Sequence, residues 1–217
     1  MISKYGYDVF FSISGLCIAV VFVAIVFVEP DLPRYGLIFI SIVVFGLTLN
    51  FFRDPRRITP EGDRLIIAPA DGKVVVSKEV EENEYFHSRA QQISIFMSPL
   101  NVHVNRNPVT GVVRHIRHIP GQYFAAFEDK ASEKNEQTIV GIESPHGRIL
   151  FKQIAGFIAR RIVCSLNVGD PVQAGARFGM IKFGSRVDVF IPHDAVVRVN
   201  VGDKTVAGET VLADFRE

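Results

Sequence analysis

The sequence predicts a mostly β (α+β) protein, with packed β-sheets in barrel-like units carrying an internal repeat, preceded by a helical membrane hairpin. Three observations predict it. Two uncharged apolar stretches fill most of the first 52 of 217 residues. From about residue 60 the chain turns to short runs rich in Val, Ile and Phe, punctuated by Gly, Asp, Asn and Pro. A nine-residue pattern then occurs twice in the C-terminal third.

The first stretch, residues 9 to 28, reads "VFFSISGLCIAVVFVAIVFV", and the second, residues 35 to 52, "YGLIFISIVVFGLTLNFF". Each is close to the roughly 20 residues that span a hydrocarbon core of about 30 Å. Between them "EPDLPR", residues 29 to 34, has two prolines and mixed charge, a helix-breaking turn. A cleavable signal peptide fits worse, because a second span follows at once. Lys4 precedes the first span, and Arg53, Arg56 and Arg57 follow the second in "FFRDPRR". The positive-inside rule then puts both ends in the cytoplasm, with the arginines at headgroup depth. The expected domains are 1–52, the hairpin, and 53–217, the β domain on the cytoplasmic side of the cell membrane.

The β domain opens with "RLIIAPADGKVVVSKEV" and continues through "QQISIFMSPLNVHVNRNPVTGVVRHIRHIP", "QTIVGIES" and "RILFKQIAGFIARRIV", all read as strands. Residues 125 to 137 are polar and aperiodic, so a loop over the surface or over a site is expected. "NVGDPVQAG" at 167–175 recurs as "NVGDKTVAG" at 200–208. Gly-Asp and Ala-Gly supply turns in each copy, marking two related β-units that bury together what neither buries alone.

Composition narrows the function. The chain is 48% hydrophobic, more apolar than an average soluble domain. With 24 basic and 23 acidic residues it carries no general polyanion signal, so no nucleic-acid partner is expected. Cys17 and Cys164 form no C-x-x-C pair and suggest neither a disulfide framework nor zinc. His115 and His118 lie three apart, on opposite faces of a strand, so no metal is expected there. Arg114 and Arg117 beside them suit lipid headgroups or plain solvation. No G-x-G-x-x-G follows a strand, and no lysine stands out as a pyridoxal phosphate anchor.

In "MIKFGSRVDVFIP", residues 180 to 192, Gly184 and Ser185 interrupt a strand pattern. Alone, Gly-Ser reads as a bulge or turn. With "FFRDPRR", "APADGKV", "FMSPLNVHVNRNPVTGVV" and "IPGQYFAAFEDKASEKNEQ" in the same order, the chain from about residue 51 onward resembles the phosphatidylserine decarboxylase proenzymes, in particular their compact bacterial subfamily. That resemblance implies self-cleavage between Gly184 and Ser185, with Ser185 becoming a covalent pyruvoyl cofactor. It also implies a Schiff base between that group and phosphatidylserine, release of CO₂ and phosphatidylethanolamine, and a heterodimer of fragments 1–184 and 185–217. A homo-oligomer is compatible with it.

The resemblance further assigns Asp71 to self-cleavage and His103 to decarboxylation, although Asp-Gly alone is a common turn and a histidine between valines a common core residue. Relatives of the longer subfamily carry a second histidine three residues after the first. This chain has Arg106 there, and arginine cannot serve as a base near neutral pH. His103 could then serve both steps, or His115 or His118 could supply the base. Arg106 could stabilise an oxyanion or hold the substrate carboxylate. The rival reading is a membrane-associated biotinyl- or lipoyl-type β-module or adaptor with Lys182 as the modified tip residue, though Ile181 and Phe183 flank it instead of methionines.

Overall fold

The computed structural model describes all residues except 30, 122–134, 157–160, 183–184 and 217. The loop expected at 125–137 lies almost wholly outside the described residues. The chain divides into two compact units, Met1–Pro55 and Arg56–Glu217.

In the first unit α1 (Tyr7–Phe27) and α2 (Asp31–Phe51) have 21 residues each, about 31 Å at the helical rise. Both are long and apolar enough to cross a membrane. Most of their large apolar side chains are exposed, Phe11, Phe22, Phe27 and Phe39 among them, as a lipid-facing helix requires. The hydroxyls of Ser12, Ser14, Ser41 and Thr48 donate to carbonyls one turn back, so these polar groups are satisfied within the helix. α2 starts earlier than the proline count predicts, because Pro33 falls in its first turn, where a helix has no use for that N–H. The hairpin's open end is tied by Ser3 N to Phe52 O (2.8 Å) and Asp54 N to Met1 O (2.7 Å). Gly6 lies flat on the Phe52 ring, where a Cβ would come within 2.1 Å of a ring carbon.

The second unit is β-rich. Its strands are β1 (Leu65–Ile67), β2 (Gly72–Glu82), β3 (Ser88–Met97), β4 (Val104–Arg106), β5 (Gly111–Ile119), β6 (Gln137–Ser144) and β7 (Gly147–Ala155). There follow β8 (Arg161–Cys164), β9 (Pro171–Val172), β10 (Arg177–Lys182), β11 (Ser185–Pro192), β12 (Val196–Val197), β13 (Lys204–Thr205) and β14 (Val211–Asp214). Among the described residues they form an eight-stranded sheet, β13-β2-β3-β11-β7-β6-β5-β9, and two three-stranded sheets, β1-β14-β12 and β4-β10-β8.

This order is two-fold. Exchanging β2 with β5, β3 with β6, β11 with β7 and β13 with β9 returns the large sheet to itself, and the same operation swaps the small sheets. Hydrogen bonds repeat in matched pairs. Ile67 N donates to Pro108 O as Arg106 N does to Pro69 O, and Gly208 N to Ala68 O as Gly175 N to Asn107 O. Even the bulges coincide, at Val74/Val76 in β2 and Val113/His115 in β5. The repeat therefore has a second component, "APADGKVVV" at 68–76 against "NPVTGVVRH" at 107–115.

The halves are nested. One comprises β1–β3 and β11–β14, and the other, β4–β10, is inserted between β3 and β11. Where β6 passes to β7 by a tight turn closed by the Ser144–Gly147 pair, the matching pair in the other half is Met97–Ser185. The chain thus passes between halves twice, between Met97 and Val104 and between Lys182 and Ser185. The core between the sheets is apolar from both halves and includes Ile93, Ile95, Phe151, Phe178, Val187 and Val189, with the Phe151 and Phe178 rings 5.0 Å apart.

Candidate active site

Ser185 opens β11, the strand held between β3 and β7, opposite Met97 on one side and Ala155 on the other. It is fully buried. Its Oγ lies 3.3 Å from Met97 Sδ, a soft acceptor that holds the hydroxyl without removing its proton. Gly184 lies outside the described residues. The chain leaves a small sheet at Lys182 and enters the large one at Ser185, so the sequence interruption is a change of sheet.

His103 is on the other crossing and is completely buried. Its Nδ1 is 2.9 Å from Asn101 O. A carbonyl only accepts, so Nδ1 carries a proton, and in the neutral ring Nε2 has the lone pair. Asn101 is itself held by Ser98, whose N and Oγ donate to Asn101 Oδ1. The His103 carbonyl accepts from Ile181 N (3.4 Å), which places the histidine backbone beside the end of β10, just ahead of the second crossing.

Asp71 is clamped. Its Oδ1 accepts from Ala207 N and its Oδ2 from Arg57, both at 2.8 Å, and Arg57 also reaches Glu209 (3.5 Å). The arginine expected among lipid headgroups thus faces a carboxylate of the β domain. Arg106 is 6% exposed and donates to Gly175 O (2.8 Å). Its Cδ would be 2.7 Å from a Cβ at Gly208, so it spans the closing glycines of both repeat copies.

His115 and His118 are on β5, three strands from β11 in the sheet order, or about 14 Å at the usual strand spacing. His115 Nε2 meets Glu84 (3.1 Å), and His118 contacts Thr138 (3.2 Å) and Glu136 (3.7 Å). Arg114 and Arg117 are paired with Glu143 and Glu84. The structure therefore does not bring these histidines to Ser185. Lys182 corrects the carrier-module reading. It is 4% exposed and paired with Arg161 inside a sheet, whereas a carrier lysine must project from a tip. Burial also pushes the Cys164 thiol upward in pKa, against a nucleophilic role. Among the described residues no cluster of His, Cys, Asp and Glu could hold a metal ion.

Three neighbours were not singled out by sequence. Asn105 Nδ2 reaches Met97 Sδ (3.9 Å) and Pro69 O (3.3 Å), and its Oδ1 accepts from Gln153 Nε2 (2.9 Å). The signal available was a polar residue in an apolar register, Asn105 in "VHVNR" and Gln153 in "LFKQIA".

The buried Ser185 hydroxyl, the buried His103 imidazole and the clamped Asp71 carboxylate all belong to the β-rich unit. Residues 44–213 match the family model described as phosphatidylserine decarboxylase. The chain is 46% identical over 213 residues to a phosphatidylserine decarboxylase proenzyme of Chlorobium luteolum, covering 98% of this chain and 99% of the relative. It is 45% identical over 216 residues to that of Cytophaga hutchinsonii, covering 99% and 98%. A third proenzyme, from Chlorobium phaeovibrioides, is 53% identical over 166 residues, 76% of this chain and 75% of the relative. The chain belongs to the phosphatidylserine decarboxylase family.

Proposed function

We propose that this chain is a membrane-anchored proenzyme that cuts itself between Gly184 and Ser185 and then converts phosphatidylserine to phosphatidylethanolamine and CO₂. The observation that carries the reading is Ser185 itself, fully buried and held by ladders on both sides at the residue where the chain changes sheets. A serine there suits conversion in place into a pyruvoyl group. Both new ends would lie at a crossing, and the fragment 185–217 would keep its strand pairing to β3, β7, β2 and β1. The mature form is then a heterodimer of 1–184 and 185–217.

In this reading the Ser185 hydroxyl adds to the Gly184 carbonyl and the C–N bond breaks, leaving an ester. Loss of the Cα proton expels the Gly184 carboxylate, and water replaces the nitrogen of the resulting dehydroalanine as ammonia. A glycine on the acyl side keeps the carbonyl open to attack. The pyruvoyl group supplies the electron sink that amino-acid decarboxylation needs and no side chain provides. His103 has the tautomer to take a proton at Nε2 and return it. Since His115 and His118 are held by other residues three strands away, both steps are assigned to His103. Asp71 acts from its clamp between Arg57 and Ala207.

The hairpin suits a substrate that stays in the bilayer, because a tethered domain meets it at high effective concentration. Lys4, Arg53 and Arg56 at its ends support a β domain on the cytoplasmic side by the positive-inside rule. The test is CO₂ release from phosphatidylserine in mixed micelles. The full-length protein is expected to release it and Ser185→Ala to release none, whereas equal release from both contradicts the reading.

A further inference from the structure

Three buried side-chain oxygens have no hydrogen-bond partner among the described residues: Asn107 Oδ1, Gln137 Oε1 and Gln153 Oε1. Only Gln153 belongs to an unbroken chain of contacts that reaches Ser185, through Asn105 and Met97. It lies on β7 opposite Val187, two residues along from Ala155, which pairs with Ser185. By strand alternation its side chain shares the face of Ser185.

The orientation of the two amides is settled by a carbonyl. Pro69 O can only accept, so Asn105 must turn Nδ2 toward it and present Oδ1 to Gln153. Gln153 must then donate through Nε2, and Oε1 is the atom left over. Gln153 and Asn105 are both fully buried. Leaving such an acceptor unmatched costs free energy that two apolar side chains would avoid. The other half of the fold takes that option. The registers match Asn105 to Ile66 and Gln153 to Ile191, both fully buried. The polar pair is therefore not a requirement of the architecture, and it occurs only in the half whose amides face Ser185.

We infer that Gln153 Oε1 accepts a hydrogen bond from the amino group of the substrate, making Asn105 and Gln153 the subsite for a primary amine. The inference rests on the reading of Ser185 given above. An acceptor without a charge of its own suits an amine that must become neutral before it can react with a carbonyl, whereas a carboxylate would hold it as ammonium.

The test uses full-length wild type, Gln153→Met and Gln153→Glu. Each is incubated with phosphatidylserine in mixed micelles and cyanoborohydride, and the amine adduct on fragment 185–217 is quantified by mass. All three are expected to cut themselves. The methionine variant, similar in size but without an acceptor, should trap roughly tenfold less adduct and show a raised KM. Glutamate restores the acceptor only when its buried carboxyl is protonated and donates to Asn105. Its adduct yield relative to wild type should therefore rise as pH is lowered, while the ratio for methionine stays flat. Wild-type yield and KM in Gln153→Met overturn the inference, as do identical losses in both variants at every pH. A Gln153→Met chain that stays uncut also overturns it, by assigning the residue to folding or processing. Wild type that cuts but traps no adduct, or fails to cut, removes the reading of Ser185 and this inference with it.

Discussion

The two halves of the β domain share a strand plan but differ at every residue placed in the centre. Where one half has His103, Asn105 and Gln153, the other has Arg64, Ile66 and Ile191, and the matched backbone bonds Ile181 N to His103 O and Phe215 N to Arg64 O show how closely the positions agree. Asp71 caps Ala207 N as Thr110 caps Ala174 N. Capping is thus the shared structural task of this turn, and the second carboxylate oxygen, with its Arg57 partner, is what Asp71 adds. Features common to both halves belong to the fold, and features present in one half alone are not required by it. That contrast also gives each candidate residue an internal control.

The largest effect is expected at His103. His103→Ala should lower decarboxylation by about 10²- to 10⁴-fold, measured on whatever fraction of the variant has cut, while Arg64→Ala at the matched position leaves the rate unchanged. Equal losses from both would mean that the position matters for folding alone.

Next comes the turn pair. Asp71→Asn keeps an oxygen for Ala207 N and weakens the link to Arg57, so self-cleavage, followed by gel shift after synthesis, should slow by about 10²-fold. Thr110→Val should cost only the cap, about 0.5–1.5 kcal/mol in denaturant unfolding, with cleavage unaffected. Cleavage at the wild-type rate in Asp71→Asn would reduce Asp71 to a turn residue like its counterpart.

The smallest effects test the shared frame. Gly175 and Gly208 have φ of +76° and +80°, and added methyls would crowd Thr59 and Arg106. Alanine at either should cost about 1–2 kcal/mol, seen as similar drops in Tm. A drop at only one would break the claimed equivalence.

Much of this was legible in the sequence. Hydropathy and length marked the helical pair, because a span must be apolar all round, and alternation with turn residues marked the strands. The "NVGD…AG" repeat was visible because turns demand particular residues. Its companion, "APADG" against "NPVTG", was not, because strand positions accept many apolar residues and only Pro and Gly persist. Nesting of one half within the other is a matter of long-range pairing, which no local pattern records. The site was partly legible for a related reason. Ser185, Asp71 and His103 are proposed from the resemblance, whereas Asn105 and Gln153 are ordinary polar residues until the sheets bring them together. The pairing of Arg57 with Asp71 has no local signal either, because its position after a span suggests only lipid or solvent, and folding supplies the carboxylate.

The proposed self-cleavage falls where the chain passes from the strand that ends at Lys182 to the one that opens at Ser185. Intact mass spectrometry of the purified full-length protein tests it most directly. Two fragments are expected, the smaller beginning at residue 185 and lighter than a serine-initiated peptide by one ammonia. A single uncut chain, or a small fragment with an ordinary serine terminus, would contradict it.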